Sequence, residues 1–297
     1  MKIRVVMLGT SGSSPTKARH LPSTAVVYNG DVYLFDCGEG TQMQMLKYGV
    51  NISKVKAIFI SHLHGDHVIG IAGLIRTLAM NNRKEPLFIF VPKGYERSIK
   101  CLVDFDKAVV NYQVNVFGIR SGIVYSEGGI SVSAFRLNHT IPTFGYAFRE
   151  NDRLRFDERK AKAAGLKGEM FSRIMKKGNM KIGRSRVMLK DVTWLQRGKS
   201  IVYVTDTRPV TTTLHESKGA DLLIHEASYL DSEGKLARER KHSTALEAAR
   251  LARKAGARRL VLTHISARYK HDSQAQKEAR KLFKNTDVAS DGYAITI

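Results

Sequence analysis

A chain of 297 residues with 43% hydrophobic content can bury a substantial core. Two cysteines, Cys37 and Cys101, are too few for a disulfide framework, no apolar run approaches bilayer-spanning length, and MKIRVVMLG lacks the long apolar region of a signal peptide. So few cysteines fit a reduced, cytoplasmic protein, and the 49 Lys/Arg against 27 Asp/Glu, a formal net charge of +22, point to one that meets a polyanion: nucleic acid, anionic lipid or an acidic partner.

Short β-rich runs alternate with helical patterns along the chain. KIRVVMLG reads as a strand, and Thr24 to Asp36 as two strands turning at Asn29-Gly30. Gly40 to Gly49 has helical spacing, KAIFIS is a strand, HVIGIAGLIRTLAM carries a helical period, and PLFIFV is a further strand. Gly129 to His139 alternates as a strand should, and YAFRE follows it. Residues 149–199 then break the rhythm with 16 Lys/Arg against 6 Asp/Glu, punctuating glycines and short helical stretches around ERKAKAAG and EMFSRIMKKG. The alternation resumes with SIVYVTD, TTTLHESKG, ADLLIHEA, a helix from Thr244 to Ala255, RLVLTHIS, QAQKEARKLF and DGYAITI. A second basic cluster, 9 Lys/Arg against 2 Asp/Glu, spans Lys235 to Arg259. Clustering of this kind favours a binding surface over a generally basic background.

Zinc takes imidazole nitrogen and carboxylate oxygen, which loops just past strand ends hold most rigidly. His62, His64, Asp66 and His67 follow KAIFIS, His139 follows VSAFRLN, Asp206 follows IVYVT, His225 and Glu226 follow ADLLI, and His264 follows RLVLT. A single His after a strand is more often a hydrogen-bonded structural residue than a ligand. HxHxDH is stronger: four potential ligands in six residues invite two metal ions, and the later strand ends can complete both. His225 reads as a core histidine, and His20, His215 and His271 as surface residues.

HxHxDH with later His, Asp and His at strand ends resembles the metallo-β-lactamase fold superfamily. Within it, LGTSGSSPTKARHLPST, DCGEGTQMQM, YVTDTRP, LIHEASY, KHST and THISARY resemble ribonuclease Z, the tRNA 3′-end processing endonucleases. The resemblance implies an α/β fold, the αβ/βα four-layer sandwich, as a single domain over residues 1–297 with an inserted basic arm at 149–199. It implies two zinc ions per subunit. His62, His64 and His139 would hold one, Asp66, His67 and His264 the other, and Asp206 would bridge them. Asp66 matches the family's proton acceptor, His242 the residue that protonates the leaving group, and Glu226 the carboxylate that holds and polarises it.

The same resemblance implies a homodimer acting on precursor tRNA, with no membrane association. The arm would grip the tRNA, through residues such as Arg173, Lys176 and Lys177, although its GLKGEMFSRIMKKG lacks the proline usual at the tip. The loop Ser13 to Ser23 would sense the tRNA 3′ end through Lys17 and Arg19, with His20 standing where Asn is usual. The implied reaction cuts near the discriminator base and leaves a 3′-hydroxyl on the tRNA and a 5′-phosphate on the trailer. The alternatives are a metallohydrolase of the same fold acting on small phosphodiesters or other small esters, and an RNA chaperone with structural metals.

Overall fold

The computed structural model describes residues 2–104, 110–269 and 271–297. The chain divides into two compact units, one made of residues 1–149 and 200–297, the other of Glu150–Lys199.

The larger unit is built on two seven-stranded sheets. In the first, Ala294–Thr296, Arg4–Gly9, Ser23–Tyr28, Asp31–Phe35, Val55–Phe59, Leu87–Pro92 and Val114–Ile119 lie side by side. In the second the order is Thr286–Val288, Leu260–Thr263, Leu222–Glu226, Ser200–Val204, Phe144–Glu150, Ile130–Arg136 and Gly122–Glu127. The central strands read as near-continuous apolar runs because both of their faces are buried. Val5, Met7, Tyr33 and Phe35 meet the other sheet, while Val6, Leu8, Val32 and Leu34 on the same strands meet helices.

Aromatic rings fill the space between the sheets. Phe35 stacks on Phe59 at 5.2 Å and Phe59 on Phe90 at 5.0 Å between ring centroids. The buried phenols reach polar partners, as such groups must: Tyr146 donates to Ile60 O at 2.6 Å and Tyr203 to Asp36 Oδ2 at 2.8 Å. Helix Gly70–Met80 covers the first sheet with Ile71, Leu74, Ile75 and Leu78, and helix Ala245–Ala255 covers the second with Ala248, Ala249 and Ala252. A Thr244/Glu247 capping box starts the latter helix, and Gly256 ends it in the left-handed conformation. The result is the expected αβ/βα layering.

The Asn29-Gly30 turn forms as read, with both residues at positive φ between paired Tyr28 and Asp31. HVIGIAGLIRTLAM is broken into a short helix Gly65–Val68 and the longer Gly70–Met80. At the break the backbone approaches the loop after the fourth strand of the chain. Gly70 N–H donates to Cys37 O at 3.0 Å, and a Cβ on Gly70 would lie 2.0 Å from Gly38 O. Helix Glu96–Asp104 and the strands Val114–Ile119 and Gly122–Glu127 have no counterpart in the sequence reading. These two strands are the sheets' outer edges, half exposed and interrupted by glycine, so they lack the apolar signal of a buried strand.

The smaller unit holds more strand than its composition suggests. Arg153–Phe156 pairs with Thr193–Gln196, and Asn179–Ile182 with Ser185–Met188. Helices Glu158–Ala163 and Met170–Lys177 pack with these around Ala161, Leu166, Ile174, Val187 and Val192. Gly178 closes the second helix in the left-handed conformation. Arg173, Lys176 and Lys177 lie on that helix, all exposed.

Candidate active site

Strand register places the functional groups at one edge of the larger unit. Ser200–Val204, Leu222–Glu226 and Leu260–Thr263 run parallel, with Val204 opposite His225 and Glu226 opposite Thr263. Their carboxyl ends therefore align and deliver Asp206, Glu226 and His264 to a common crevice, the usual place for a site in parallel sheets. From the other sheet, Val55–Phe59 delivers His62 and His64, and the helix start Gly65–Val68 carries Asp66 and His67.

Two sets of donors face one another there. His62, His64, His139 and Asp206 converge in one, and Asp66, His67 and His264 in the other. The Asp206 carboxyl stands between them. Its Oδ2 lies 3.7 Å from His62 Nε2 and 3.8 Å from His139 Nε2, while Oδ1 lies 3.0 Å from His264 Nε2 and 3.7 Å from His67 Nε2. His62 Nε2 and His64 Nδ1 are 3.0 Å apart. All seven residues that the sequence proposed as ligands are thus brought together.

Four of the five imidazoles are turned toward the centre by a bond on their far side. His67 Nδ1 donates to Asp36 Oδ2 at 2.8 Å, His139 Nδ1 lies 3.3 Å from Lys241 O, and Ser228 Oγ lies 2.9 Å from His264 Nδ1. Ser61 Oγ sits 2.9 Å from His62 Nδ1. The inward Nε2 atoms of His67 and His264 are fully buried with no hydrogen-bond partner among the described residues. Buried polar nitrogens are costly to leave unpaired, and a metal ion satisfies them. The donor chemistry, four imidazoles and two carboxylates plus an exposed-side imidazole at His64, suits divalent ions of the zinc kind. The arrangement is that of a metal-binding site.

The carboxylates are held in the ionised form. Burial pushes Asp206 upward, but the neighbouring imidazoles, His264 and His67 foremost, outweigh it and hold the group well below the usual range. Asp66 is likewise held low despite its burial, by the neighbouring imidazoles of His264 and His67. Burial lowers His62, reinforced by neighbouring His67, which keeps that ring neutral and able to ligate.

Glu226 and His242 form a second polar centre beside the first. Glu226 is fully buried and surrounded by donors: Thr207 N–H at 2.9 Å, Ser243 N–H at 3.1 Å, Ser228 N–H at 3.0 Å and Ser228 Oγ at 2.7 Å. His242 Nδ1 donates to Glu226 Oε1 at 3.0 Å. Burial opposes charge on His242, yet the Glu226 carboxylate prevails and lifts its pKa to about 9. Burial also opposes charge on Glu226, and the His242 cation brings it down to about 2. The ring of His242 lies 5.1 Å from that of His139 and 5.6 Å from that of His264, so a cationic acid stands at the edge of the donor sets. Gly12, Ser13, Ser14, Ser228, Tyr229, His242, His264 and Arg268 line a cavity of about 210 Å³ on this side.

Several functional positions escaped the sequence reading. Asp36 is buried at the end of strand Asp31–Phe35 with φ 58, and accepts from Ser61 N–H, Ser61 Oγ, His67 Nδ1 and Tyr203 OH at 2.8 to 2.9 Å. It follows an apolar strand, the same signal that singled out Asp206, and could have been found by it. Ser228 and Arg208 have weaker signals. Arg208 Nη1 donates to His242 O at 2.5 Å and the guanidinium pairs with Glu247 of the capping box.

Other proposed residues sit differently from expectation. Arg19, expected to meet substrate, is turned inward: Nη1 donates to Thr10 Oγ1 and Ala289 O, and Nη2 pairs with Asp272. Its guanidinium is thereby occupied within the protein, whereas Lys17 is exposed. His20 is no free surface group, because Asp291 holds both its N–H and its ring. His225 is buried with Nδ1 bonded to Glu226 O, as a core histidine should be. His215 and His271 are exposed.

Residues 3–159 match the family described as Anti-Pycsar protein Apyc1, and residues 188–265 match the beta-lactamase superfamily domain. The chain is 40% identical over 291 residues to the ribonuclease Z of Methanothermobacter thermautotrophicus, covering 97% of this chain and 95% of that relative. It is 38% identical to the ribonuclease Z of Gemmatimonas aurantiaca, covering 100% of this chain and 96% of the other. Among solved structures, human tRNase Z, short form, superposes with a TM-score of 0.72 at 27% identity over 98% of both chains. The metallo-beta-lactamase fold protein YhfI from Bacillus subtilis shares the fold, with a TM-score of 0.72 at 18% identity over 100% of both chains.

Proposed function

The chain belongs to the ribonuclease Z family, and on that premise we propose that it is a zinc-dependent endoribonuclease that removes the 3′ trailer from precursor tRNA. The observation that carries this reading is the Asp206 carboxyl set between two imidazole-bearing donor sets, with the Glu226–His242 pair beside them.

His62, His64 and His139 would hold one zinc ion and Asp66, His67 and His264 a second, with Asp206 shared between the two. When bound, the two ions supply positive charge for the phosphate oxygens and raise the acidity of water at neutral pH. Asp66, ionised and oriented by Ser13 N–H at 3.1 Å, takes up the proton released by the attacking water. His242, kept cationic by Glu226, gives a proton to the departing ribose 3′-oxygen, which is a poor leaving group as an alkoxide. The tRNA then ends in a 3′-hydroxyl and the trailer begins with a 5′-phosphate.

Substrate binding rests on charge. The unit Glu150–Lys199 carries exposed Arg173, Lys176 and Lys177 on one helix, a pattern suited to phosphate contacts. We assign tRNA grip to this unit as an inserted arm, residues 149–199, and 3′-end contacts to the loop Ser13–Ser23, with Lys17 as its free cation. The enzyme acts as a homodimer. Met43 and Leu46 on helix Thr41–Lys47 and Met80 on the adjoining helix Gly70–Met80 are all more than 60% exposed, which supports an apolar contact there. It works in the cytoplasm, where Cys37 and Cys101 remain thiols. Among the described residues no helix is long and apolar enough to cross a membrane.

The direct test is incubation with a precursor tRNA bearing a 3′ trailer, with zinc or manganese and with chelator. Cleavage next to the discriminator base, lost on chelation, is expected. Hydrolysis of bis-p-nitrophenyl phosphate with no cut in the precursor would instead identify a small-ester hydrolase.

A further inference from the structure

We propose that Asp291, assisted by Asp272, is a positioning residue that sets the shape of the loop Ser13–Ser23 and thereby the fit of the substrate's 3′ end. The inference rests on the reading of that loop as a substrate contact.

The loop leaves and re-enters the body at one point, where Ser11 N–H donates to His20 O at 2.9 Å. Asp291 clasps both sides of this base. Its Oδ1 accepts from Thr10 Oγ1 at 2.7 Å, and its Oδ2 accepts from His20 N–H at 2.7 Å and lies 3.0 Å from His20 Nδ1. Gln44 Nε2 donates to the same Oδ2 at 3.0 Å. The Asp291 side chain is only 4% exposed, so these bonds are the chief satisfaction of its charge.

A second tie runs parallel to the first. Arg19 Nη1 donates to Thr10 Oγ1 and to Ala289 O, both at 2.5 Å, and its Nη2 pairs with Asp272. Thr16 Oγ1 accepts from Ala18 N–H at 3.2 Å and Arg19 N–H at 3.0 Å, which turns the tip and leaves Lys17 exposed while Arg19 points in. The two neighbouring cations of the loop are thus divided between structure and substrate.

The opposite flank of the loop touches the donor sets. Ser13 N–H donates to Asp66 Oδ2, and a Cβ on Gly12 would lie 2.9 Å from His264 Nδ1. The loop is therefore stretched between the Asp291 clasp and the metal-ligand residues, with no slack on either side. Releasing the clasp shifts the loop tip and Lys17, while Ser13 stays on Asp66 and every ligand side chain keeps its place. Position 20 needs a donor toward Asp291, and an imidazole supplies it as an amide would.

The test compares Asp291→Asn with the unaltered full-length chain, both loaded with zinc. KM for precursor tRNA is expected to rise about tenfold while kcat for bis-p-nitrophenyl phosphate stays within about twofold. Tryptic cleavage after Lys17 should accelerate about tenfold as the loop loosens. Asp272→Asn, at a partly exposed pair, should move both readouts the same way by less, and His20→Asn should keep them unchanged where His20→Ala does not. Equal losses on both substrates, or unaltered KM and proteolysis in Asp291→Asn, would overturn the proposal. Should Asp291→Asn fail to fold, His20→Ala and Asp272→Asn decide by the same criteria. If the unaltered protein cuts no precursor tRNA, the functional reading fails instead, and the proteolysis arm still reports whether Asp291 holds the loop.

Discussion

His67 donates from Nδ1 to the buried Asp36 carboxylate at 2.8 Å, which leaves Nε2 aimed at the donor sets with no hydrogen-bond partner among the described residues. Asp36 reaches that position only by adopting a left-handed backbone, φ 58, directly after strand Asp31–Phe35. The carboxylate fixes the tautomer and the direction of the ring, and it raises the basicity of the ligating nitrogen.

Asp36→Asn should therefore weaken metal retention by about 10–100-fold without unfolding the chain. Equilibrium dialysis against a graded chelator, with metal content read by atomic emission, checks this. Retention equal to the unaltered protein would show that Asp36 serves stability alone.

Removal of the acid should depend on the leaving group. His242→Ala is expected to lower kcat on precursor tRNA by about 10²–10⁴-fold, because the ribose oxygen must be protonated as it departs. Bis-p-nitrophenyl phosphate releases a stabilised phenolate, so its hydrolysis should fall far less. Parallel kinetics on the two substrates provide the measurement, and equal losses would place His242 in binding or folding instead.

The helix Met170–Lys177 should contribute charge without affecting chemistry. Replacing Arg173, Lys176 and Lys177 together by Ala should reduce the slope of log Kd against log salt by about 2 to 3. Filter binding of precursor tRNA across a salt series measures it, with bis-p-nitrophenyl phosphate turnover as the control that should not change.

The two thiols should react very differently. Burial pushes the Cys37 thiol up to about 12, so it stays protonated and shielded at pH 8, whereas Cys101 is exposed on helix Glu96–Asp104. Iodoacetamide at pH 8 should label Cys101 alone in the folded protein and both residues in denaturant, as read by peptide mass.

Gly70 should tolerate no side chain. A Cβ there would lie 2.0 Å from Gly38 O, at the point where helix Gly70–Met80 abuts the Cys37–Gly38 turn. Gly70→Ala should cost about 1–3 kcal/mol of stability, measured by urea denaturation. It should also reduce metal retention, since the same turn follows Asp36 and its Cys37 N–H donates to His67 O at 2.8 Å.

Residues that carry their chemistry at strand ends were the legible part of this site. Six positions from His62 to His67 hold four donors, and His139, Asp206, Glu226 and His264 each follow an apolar run, so periodicity and residue type sufficed. What the sequence could not display was direction. Nothing in PTKAR tells that Arg19 turns inward to Asp272 while Lys17 turns out, because the partners lie more than two hundred residues away in the chain. Asp36 carries the same strand-end signal as Asp206, but the left-handed turn that aims it at His67 is not announced by residue type. The edge strands Val114–Ile119 and Gly122–Glu127 and the four-residue strands of the smaller unit were invisible because half-exposed strands follow no strict alternation.

The pairing of Arg4–Gly9 with Ala294–Thr296 ties the earliest strand of the larger unit to the latest, with Asp291 just before that last strand. During synthesis the first strand emerges without this neighbour and waits for nearly the whole chain. His264 and the clasp around Thr10 and His20 arrive just as late. A nascent polypeptide therefore carries HxHxDH long before His264, from the other sheet, can complete its donor set.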